Sequence, residues 1–180
     1  MRGAPEALSA HLDAFRRQPS LERLRAVLRA ARRAGRAPAV RAHLLEVLEA
    51  DVAADPRLLY RLYLEDGQDT RAAEAARAMR SPGALLDVAD ATRVRFRILS
   101  IHLYLEAADL LAGQGNRRAY ARAAAALCWV RALMEGEEVR WSAWRRAYLH
   151  RHRRRRALMQ ELVRAGLDVG EPAEGWAPHV

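Results

Sequence analysis

Apolar residues recur along this chain at every third or fourth position, which is the spacing of one face of an α-helix. The first two faces contain Leu8, Leu12 and Phe15, followed by Leu21, Leu24, Val27 and Leu28. The apolar face of the seventh predicted helix holds Val94, Ile98, Ile101, Leu105, Ala108 and Leu111. This periodicity predicts an all-α protein.

Polar caps and glycines mark where these helices begin and end. Ser20, Asp55, Ser81 and Asn116 stand where N-caps are expected, and Thr92 is expected to cap the seventh helix. Glycines follow several of the apolar segments, at the position suited to a left-handed C-terminal cap. Since the connections between these signals are short, the helices are expected to pack directly on their neighbours in sequence.

These signals predict about nine helices. The first spans about residues 5–17, the third ends near Ala53, and the ninth continues unbroken from about Glu138 to Ala165. The early helices come in pairs that suit antiparallel packing, as in tetratricopeptide-like and other α-solenoid proteins. We expect a single helical-repeat domain over residues 1–166, a short right-handed α-solenoid whose last helix is long and arginine-rich, and then a polar tail over 167–180. Because the sequence has no strict repeat period, an irregular helical bundle is an open alternative.

The composition of the chain bears on its cellular location and on the distribution of its charge. All 31 basic side chains are arginine, and residues 91–180 hold 16 arginines against 9 acids, a net charge of +7 out of +9 for the chain. With Cys128 as its single cysteine, the chain has no disulfide framework, which suits a reducing, cytoplasmic location. The longest apolar run has eight residues and the N-terminus lacks the apolar core of a signal peptide, so we expect a soluble protein that is not exported.

The segment Arg140–Arg156 carries eight of the arginines and no acid. Its apolar positions are Trp141, Trp144 and Tyr148, after which the stripe is lost until Leu158. The sequence therefore predicts two helical turns that are cationic on all sides and do not bury a face in an apolar core. Three interpretations are open: the segment projects from the bundle, pairs with acids in a groove, or presents a cationic surface to a polyanion. Aromatic residues at this spacing are more often part of a core than a surface for stacking bases.

The C-terminal two thirds of the chain resemble a known helical region. The resemblance spans about residues 58–167, and its marks are the NRRAY turn before an alanine-rich helix and the tryptophan-led segment WSAWRRAYLHRHRRRRALM. These stretches resemble the helical-repeat region that follows the zinc finger in bacterial SWIM-type zinc-finger proteins. The finger itself needs a Cys-x-Cys pair and a Cys-x-His pair, whereas this chain has one cysteine. The resemblance therefore implies a solenoid scaffold without the zinc-dependent DNA binding of that family.

No set of residues in the sequence assembles a recognisable catalytic, metal or cofactor site. His150 and His152 are two positions apart and so lie on different helix faces, and His102 is expected to be a hydrogen-bonded structural histidine beside an apolar face. The thiol of Cys128 lies in an apolar run that would raise its pKa and make it inert. The acids between residues 51 and 69 stand at helix ends and a turn, where capping explains them. We expect no enzymatic activity, no metal and no cofactor.

The sequence predicts a non-enzymatic helical-repeat scaffold or adaptor that binds a protein with an acidic surface through its basic C-terminal helix. The alternative is a nucleic-acid-binding accessory protein that uses the same arginines. A homodimer is also open, because the end helices of a short solenoid leave apolar faces, while membrane binding is not expected. The residues predicted to contact the partner are Arg145, Arg146, Arg151, Arg153, Arg154, Arg155 and Arg156, with Arg117 and Arg118 as an extension if the helices pack antiparallel.

Overall fold

A computed structural model describes residues 3–51 and 55–167 of the chain, and over these residues the protein is all-helical with no strand, which confirms the predicted class. The predicted end of the third helix near Ala53, and residues 168–180 of the predicted tail, lie outside the described residues. The described helices are α1 Gly3–Arg17, α2 Leu21–Arg33, α3 Ala37–Ala50, α4 Pro56–Glu65, α5 Asp69–Ala78, α6 Pro82–Thr92, α7 Arg97–Gly113, α8 Arg117–Leu133, α9 Glu138–His152 and α10 Arg156–Arg164.

Four of the five predicted N-caps are confirmed by side-chain hydrogen bonds. In each case a side-chain oxygen accepts the N–H of a residue in the first turn: Ser20 from Arg23 at 3.3 Å, Asp55 from Arg57 at 2.9 Å, Ser81 from Ala84 at 3.4 Å and Asn116 from Ala119 at 2.9 Å. These bonds satisfy amides that have no partner within the helix. The caps therefore fix where α2, α4, α6 and α8 begin.

The fifth predicted cap, Thr92, is wrong. Thr92 is the last residue of α6 and is fully buried; its hydroxyl lies 2.8 Å from the backbone oxygen of Val88 and 2.8 Å from the Ser100 hydroxyl. A buried hydroxyl needs such partners, and here they lie in α6 and α7. As a result α7 begins at Arg97, and Val94 and Ile98, predicted on its apolar face, are 90% and 64% exposed.

The predicted ninth helix is also wrong, because the chain turns at residues 153–155 and forms two helices. In one straight helix, at about 100° per residue, Leu158 would lie about 80° around the axis from Tyr148. The turn removes this mismatch: Tyr148 at the end of α9 and Leu158 and Leu162 in α10 are all buried. The predicted long helix is therefore two shorter helices, and the arginines predicted on it are distributed over α9, α10 and the turn between them.

Contacts within the chain group it into two compact units that divide between Arg80 and Ser81. In unit 1, successive helices from α1 to α5 pack on one another, and α2 also packs on α4. Ion pairs join its helices at the surface, between Arg41 and Asp66 at 3.0 Å and between Arg71 and Glu49 at 3.1 Å. The single domain over 1–166 stays a prediction.

Unit 2 contains α6–α10, and its polar contacts fix the direction of its last four helices. Arg97 at the start of α7 contacts Glu137 at the start of α9 at 2.7 Å, and Asp109 near the end of α7 contacts Arg151 near the end of α9. The helices α7 and α9 therefore run in the same direction. By the same reasoning α8 and α10 are parallel, because Arg117 contacts Glu161 at 2.9 Å and Cys128, further along α8, contacts the backbone of Ala165.

Candidate functional site

The candidate site is the end of unit 2 at which α7 and α9 end and α8 and α10 begin. The guanidinium of Arg155, in the turn between α9 and α10, donates to the backbone oxygen of Ala112 in the last turn of α7. This contact brings the two interhelical turns together. We call this surface the basic end and define it by its seven arginines: Arg117, Arg118, Arg151, Arg153, Arg154, Arg155 and Arg156.

Several of these arginines hold the fold together. Arg151 pairs with Asp109 at 2.7 Å, Arg155 caps α7 as described above, and Arg153 donates to the backbone oxygen of His150 at 3.1 Å. Cations near helix C-termini compensate carbonyls that have no partner within the helix and the negative end of the helix dipole. Of the three interpretations of the segment Arg140–Arg156, pairing with acids of the bundle therefore applies to Arg151.

Two acids that the sequence did not single out organise the basic end. Asp109 contacts both Arg151 and His152, and the Nε2 of His152 lies 3.1 Å from its Oδ1. Glu161, whose side chain is 11% exposed, contacts Arg117 at 2.9 Å and Arg164 at 2.7 Å. The hydrogen bond from Arg117 lowers the pKa of Glu161, so this carboxylate stays charged. The only signal for Glu161 in the sequence is that it is the one acid of α10, whereas Asp109 follows Glu106 in α7 and has no signal that distinguishes it.

Three arginines of the basic end remain available to a partner. Arg118, Arg154 and Arg156 are exposed, and none of them forms an ion pair within the part of the chain that the structure describes. Arg118 and Arg156 also stand in the first turns of α8 and α10, where the helix dipole is positive and adds to their attraction for an anion. The basic end therefore presents cationic groups to solvent in addition to those used by the fold.

Arg145 and Arg146, the two other predicted contact residues, lie outside the basic end. Arg145 is half-buried and lines a shallow apolar depression with Trp141, Trp144 and Leu149. Arg146 is exposed, but it precedes the end of α9 by about two turns. The structure therefore does not join all nine predicted residues into one surface.

The aromatic residues of α9 belong mainly to the core, as the sequence predicted. Trp141 and Tyr148 are 5% and 2% exposed, and the Trp144 ring stacks between them at centroid distances of 5.7 and 5.1 Å. The stripe then continues to His152, which is buried and lies 4.5 Å from the Tyr148 ring. The expectation that two turns after Tyr148 are cationic on all sides is therefore wrong, because His152 faces Asp109 of α7.

The cysteine and the histidine that were considered for catalysis differ in their surroundings. Cys128 is half-buried, its thiol donates to the backbone oxygen of Ala165 at 3.5 Å, and burial raises its pKa as expected. His102 is exposed, so the expectation of a structural histidine is wrong. Among the described residues, no three or more histidine, cysteine, aspartate or glutamate side chains are grouped so that they could hold a metal ion.

No helix in the described part of the chain is long and apolar enough to cross a membrane. The chain matches no protein-family model, no curated protein and no solved structure. The resemblance to the helical region of SWIM-type proteins stays a prediction, and a function has to be argued from the geometry of the basic end.

Proposed function

We propose that this chain is a non-enzymatic helical-repeat interaction module that binds an acidic surface of a partner protein through the basic end. The observation that carries the proposal is the exposure of Arg118, Arg154 and Arg156, without ion pairs among the described residues, beside four further arginines. The planar guanidinium matches a carboxylate through two parallel hydrogen bonds, which gives geometric specificity as well as attraction. Such a charged surface also accelerates association.

The arrangement of helices supports a scaffold role. The pair α7–α8 is followed by the pair α9–α10, with equivalent helices parallel, which is how repeats of a tetratricopeptide-like solenoid stack. Arginines on the turn of the second pair and on α8 of the first then lie at the same end. We infer that the basic end is a surface built across two consecutive helix pairs, and that the protein is a cytoplasmic adaptor built on a solenoid scaffold such as the resemblance implies.

A protein partner is favoured over single-stranded nucleic acid by the burial of aromatic rings in α9. Sites for single-stranded nucleic acid combine cationic grooves with aromatic platforms on which bases stack. Trp141 and Tyr148 are in the core of unit 2, and Trp144, which is half-buried, is stacked between them. The basic end therefore offers ionic contacts without base stacking, and nucleic-acid binding becomes one outcome of the test.

The test is a fluorescence-anisotropy titration of labelled polyglutamate and of labelled single- and double-stranded oligonucleotides at low and near-physiological salt. The site variant carries Arg118→Gln, Arg154→Gln and Arg156→Gln. The matched control carries Arg25→Gln, Arg29→Gln and Arg33→Gln, which removes the same charge from exposed positions of α2 in unit 1. Comparison of the two variants separates the position of the charge from its amount.

We expect the wild type and the control to bind polyglutamate equally, and the site variant to bind at least tenfold more weakly. Equal binding by both variants would show that net charge alone is responsible and would overturn the proposal. Oligonucleotide binding that persists at near-physiological salt and is lost only in the site variant would replace the protein partner by nucleic acid.

A further inference from the structure

A second surface of unit 2 lies at the opposite end from the basic end. Of the large apolar residues that are exposed in the described part of unit 2, all but Val163 are at the end where α7 and α9 begin. Val94, Phe96 and Ile98 flank the start of α7, Trp129 lies near the end of α8, and Val139 lies in the first turn of α9. We call these five residues the apolar end. Val94 and Val139 are 90% and 87% exposed, so no core position explains them.

Two contacts connect the segments that carry the apolar end. The guanidinium of Arg93, next to Val94, lies over the Trp129 ring at 4.3 Å from its centroid. Arg97, between Phe96 and Ile98, donates to the backbone oxygen of Leu133 and pairs with Glu137 at 2.7 Å. The connections α6–α7 and α8–α9 are therefore neighbours, and their apolar residues share one end of the unit. An exposed apolar patch of this kind, with a charged rim, is typical of a protein interaction site.

The charges around the apolar end have opposite signs on its two sides. The α6–α7 connection alternates apolar and basic residues in the order Val94, Arg95, Phe96, Arg97 and Ile98, with Arg93 before them. The α8–α9 connection instead carries Glu135, Glu137 and Glu138. Glu135 and Glu138 are exposed. Glu137 pairs within the chain with Arg97 and with Arg140 at 3.1 Å, so the anionic character of this side comes from Glu135 and Glu138. One side of the patch is thus cationic and the other is anionic.

We propose that the apolar end binds a second copy of this chain in a twofold-symmetric dimer. In such a dimer the same patch meets itself. With the twofold axis running between the two connections, the α6–α7 connection of one copy faces the α8–α9 connection of the other, which is the arrangement that brings opposite charges together. Arg95 of each copy then lies opposite the exposed Glu135 and Glu138 of the other, and the apolar residues meet at the centre. A uniformly acidic or basic partner would match only one side of this rim. The basic end remains exposed in the dimer, so this inference is independent of the proposed function.

The first test is sedimentation velocity of the full chain over a range of concentrations. We expect the wild type to dimerise and the variant Val94→Ser with Ile98→Ser to dimerise at least tenfold more weakly. Val163→Ser is the matched control, because Val163 is exposed on α10 of the same unit. A wild type that stays monomeric, or a dimer that the double variant leaves unchanged, overturns the proposal. Circular dichroism verifies that each variant is folded.

The second test uses the symmetry of the interface. Arg95→Glu places an acid opposite Glu135 of the other copy, and Glu135→Arg places an arginine opposite Arg95 of the other copy. Each variant alone therefore creates two like-charge contacts across the interface, and we expect it to dimerise at least tenfold more weakly than the wild type. When the two variants are mixed, the introduced acid of one copy meets the introduced arginine of the other, and the unaltered Glu135 meets the unaltered Arg95. We therefore expect a heterodimer of near wild-type affinity. Failure of the mixture to associate would exclude the twofold arrangement, and polyglutamate binding by the monomeric variants would still report on the basic end.

Discussion

Asp109 is the residue that most directly links the end of α9 to α7. Its two carboxylate oxygens contact Arg151, whose side chain is 62% exposed, and His152, whose side chain is 8% exposed. The exposed ion pair with Arg151 contributes little to stability, because water can replace either partner. The buried His152 ring has no water to replace Asp109, so losing this contact costs more. The two contacts of one acid should therefore differ in their contribution to stability.

We expect Asp109→Ala to lower the free energy of unfolding by about 1–2 kcal/mol, because it leaves the buried His152 ring without this partner. Arg151→Gln, which removes only the exposed partner, should cost less than about 0.5 kcal/mol. Urea unfolding followed by circular dichroism measures both values. Equal losses in the two variants would contradict the assignment of the larger contribution to the buried contact.

The absence of lysine makes tyrosine ionisation visible in the stability of this protein. Burial raises the pKa of Tyr104 and Tyr148 well above the ordinary value of 10.0, and a hydrogen bond to Asp90 raises that of Tyr104 further. Above about pH 10 the unfolded chain loses these protons while the folded chain keeps them, so stability falls as the pH rises. Arginine keeps its charge in this range, and the other groups that titrate are the remaining tyrosines and Cys128.

Near pH 8 the two tyrosines are neutral in both states and should not change the free energy of unfolding. Above about pH 10 we expect this free energy, measured by thermal unfolding, to fall by up to about 1.4 kcal/mol per pH unit for each tyrosine that stays neutral only in the folded state. The double variant Tyr104→Phe with Tyr148→Phe should flatten this decline. The difference between variant and wild type at about pH 8 serves as the baseline, since tyrosine is neutral there. An alkaline slope that is unchanged in the double variant would contradict the prediction.

At the scale of helices, the sequence predicts a helix end correctly where residues close to that end determine it. The caps Ser20, Asp55, Ser81 and Asn116 are correct because each acts on amides within three residues. The break between α9 and α10 could not be predicted, because it depends on the orientation that buries Leu158 and on the distant backbone oxygen of Ala112. For the same reason the arginines could be counted from the sequence, but their division between structural and exposed roles could not.

Among the described helix ends that enter the left-handed region, the end of α5 differs because Arg80 rather than a glycine occupies it, with φ of 49°. This conformation costs a residue with a Cβ roughly 1–2 kcal/mol, whereas glycine adopts it freely. We expect Arg80→Gly to raise the free energy of unfolding by about 0.5–1 kcal/mol, after the greater entropy of glycine in the unfolded chain is subtracted.

Gly67, which follows α4 with φ of 75°, provides the converse control. A Cβ at this position would meet no atom within 4 Å, so the cost of Gly67→Ala comes from the backbone conformation and should be about 1 kcal/mol. Urea unfolding measures both variants. Destabilisation by Arg80→Gly would show that the Arg80 side chain contributes more than its backbone conformation costs.

At the scale of the whole molecule, the excess of positive charge that the sequence places in residues 91–180 belongs to unit 2. All seven arginines of the basic end, and all five residues of the apolar end, lie within residues 81–167. Both proposed binding surfaces therefore belong to unit 2. Residue composition and periodicity predicted the all-α class, but the boundary between Arg80 and Ser81 depends on which helices pack together. The α5–α6 connection is as short as those within each unit, so its length does not mark a boundary.

The fragment 81–167 tests this division directly. It begins at Ser81, which caps α6, and ends at Leu167, which is 5% exposed, so both of its ends retain their contacts. We expect the fragment to be helical by circular dichroism, to unfold cooperatively in urea, and to bind polyglutamate and dimerise as the full chain does. The denaturant dependence of its unfolding should be lower than that of the full chain, in proportion to the smaller surface that it exposes. If the single domain over 1–166 is instead the folding unit, the fragment will lack cooperative unfolding, because part of its core is then supplied by the first eighty residues.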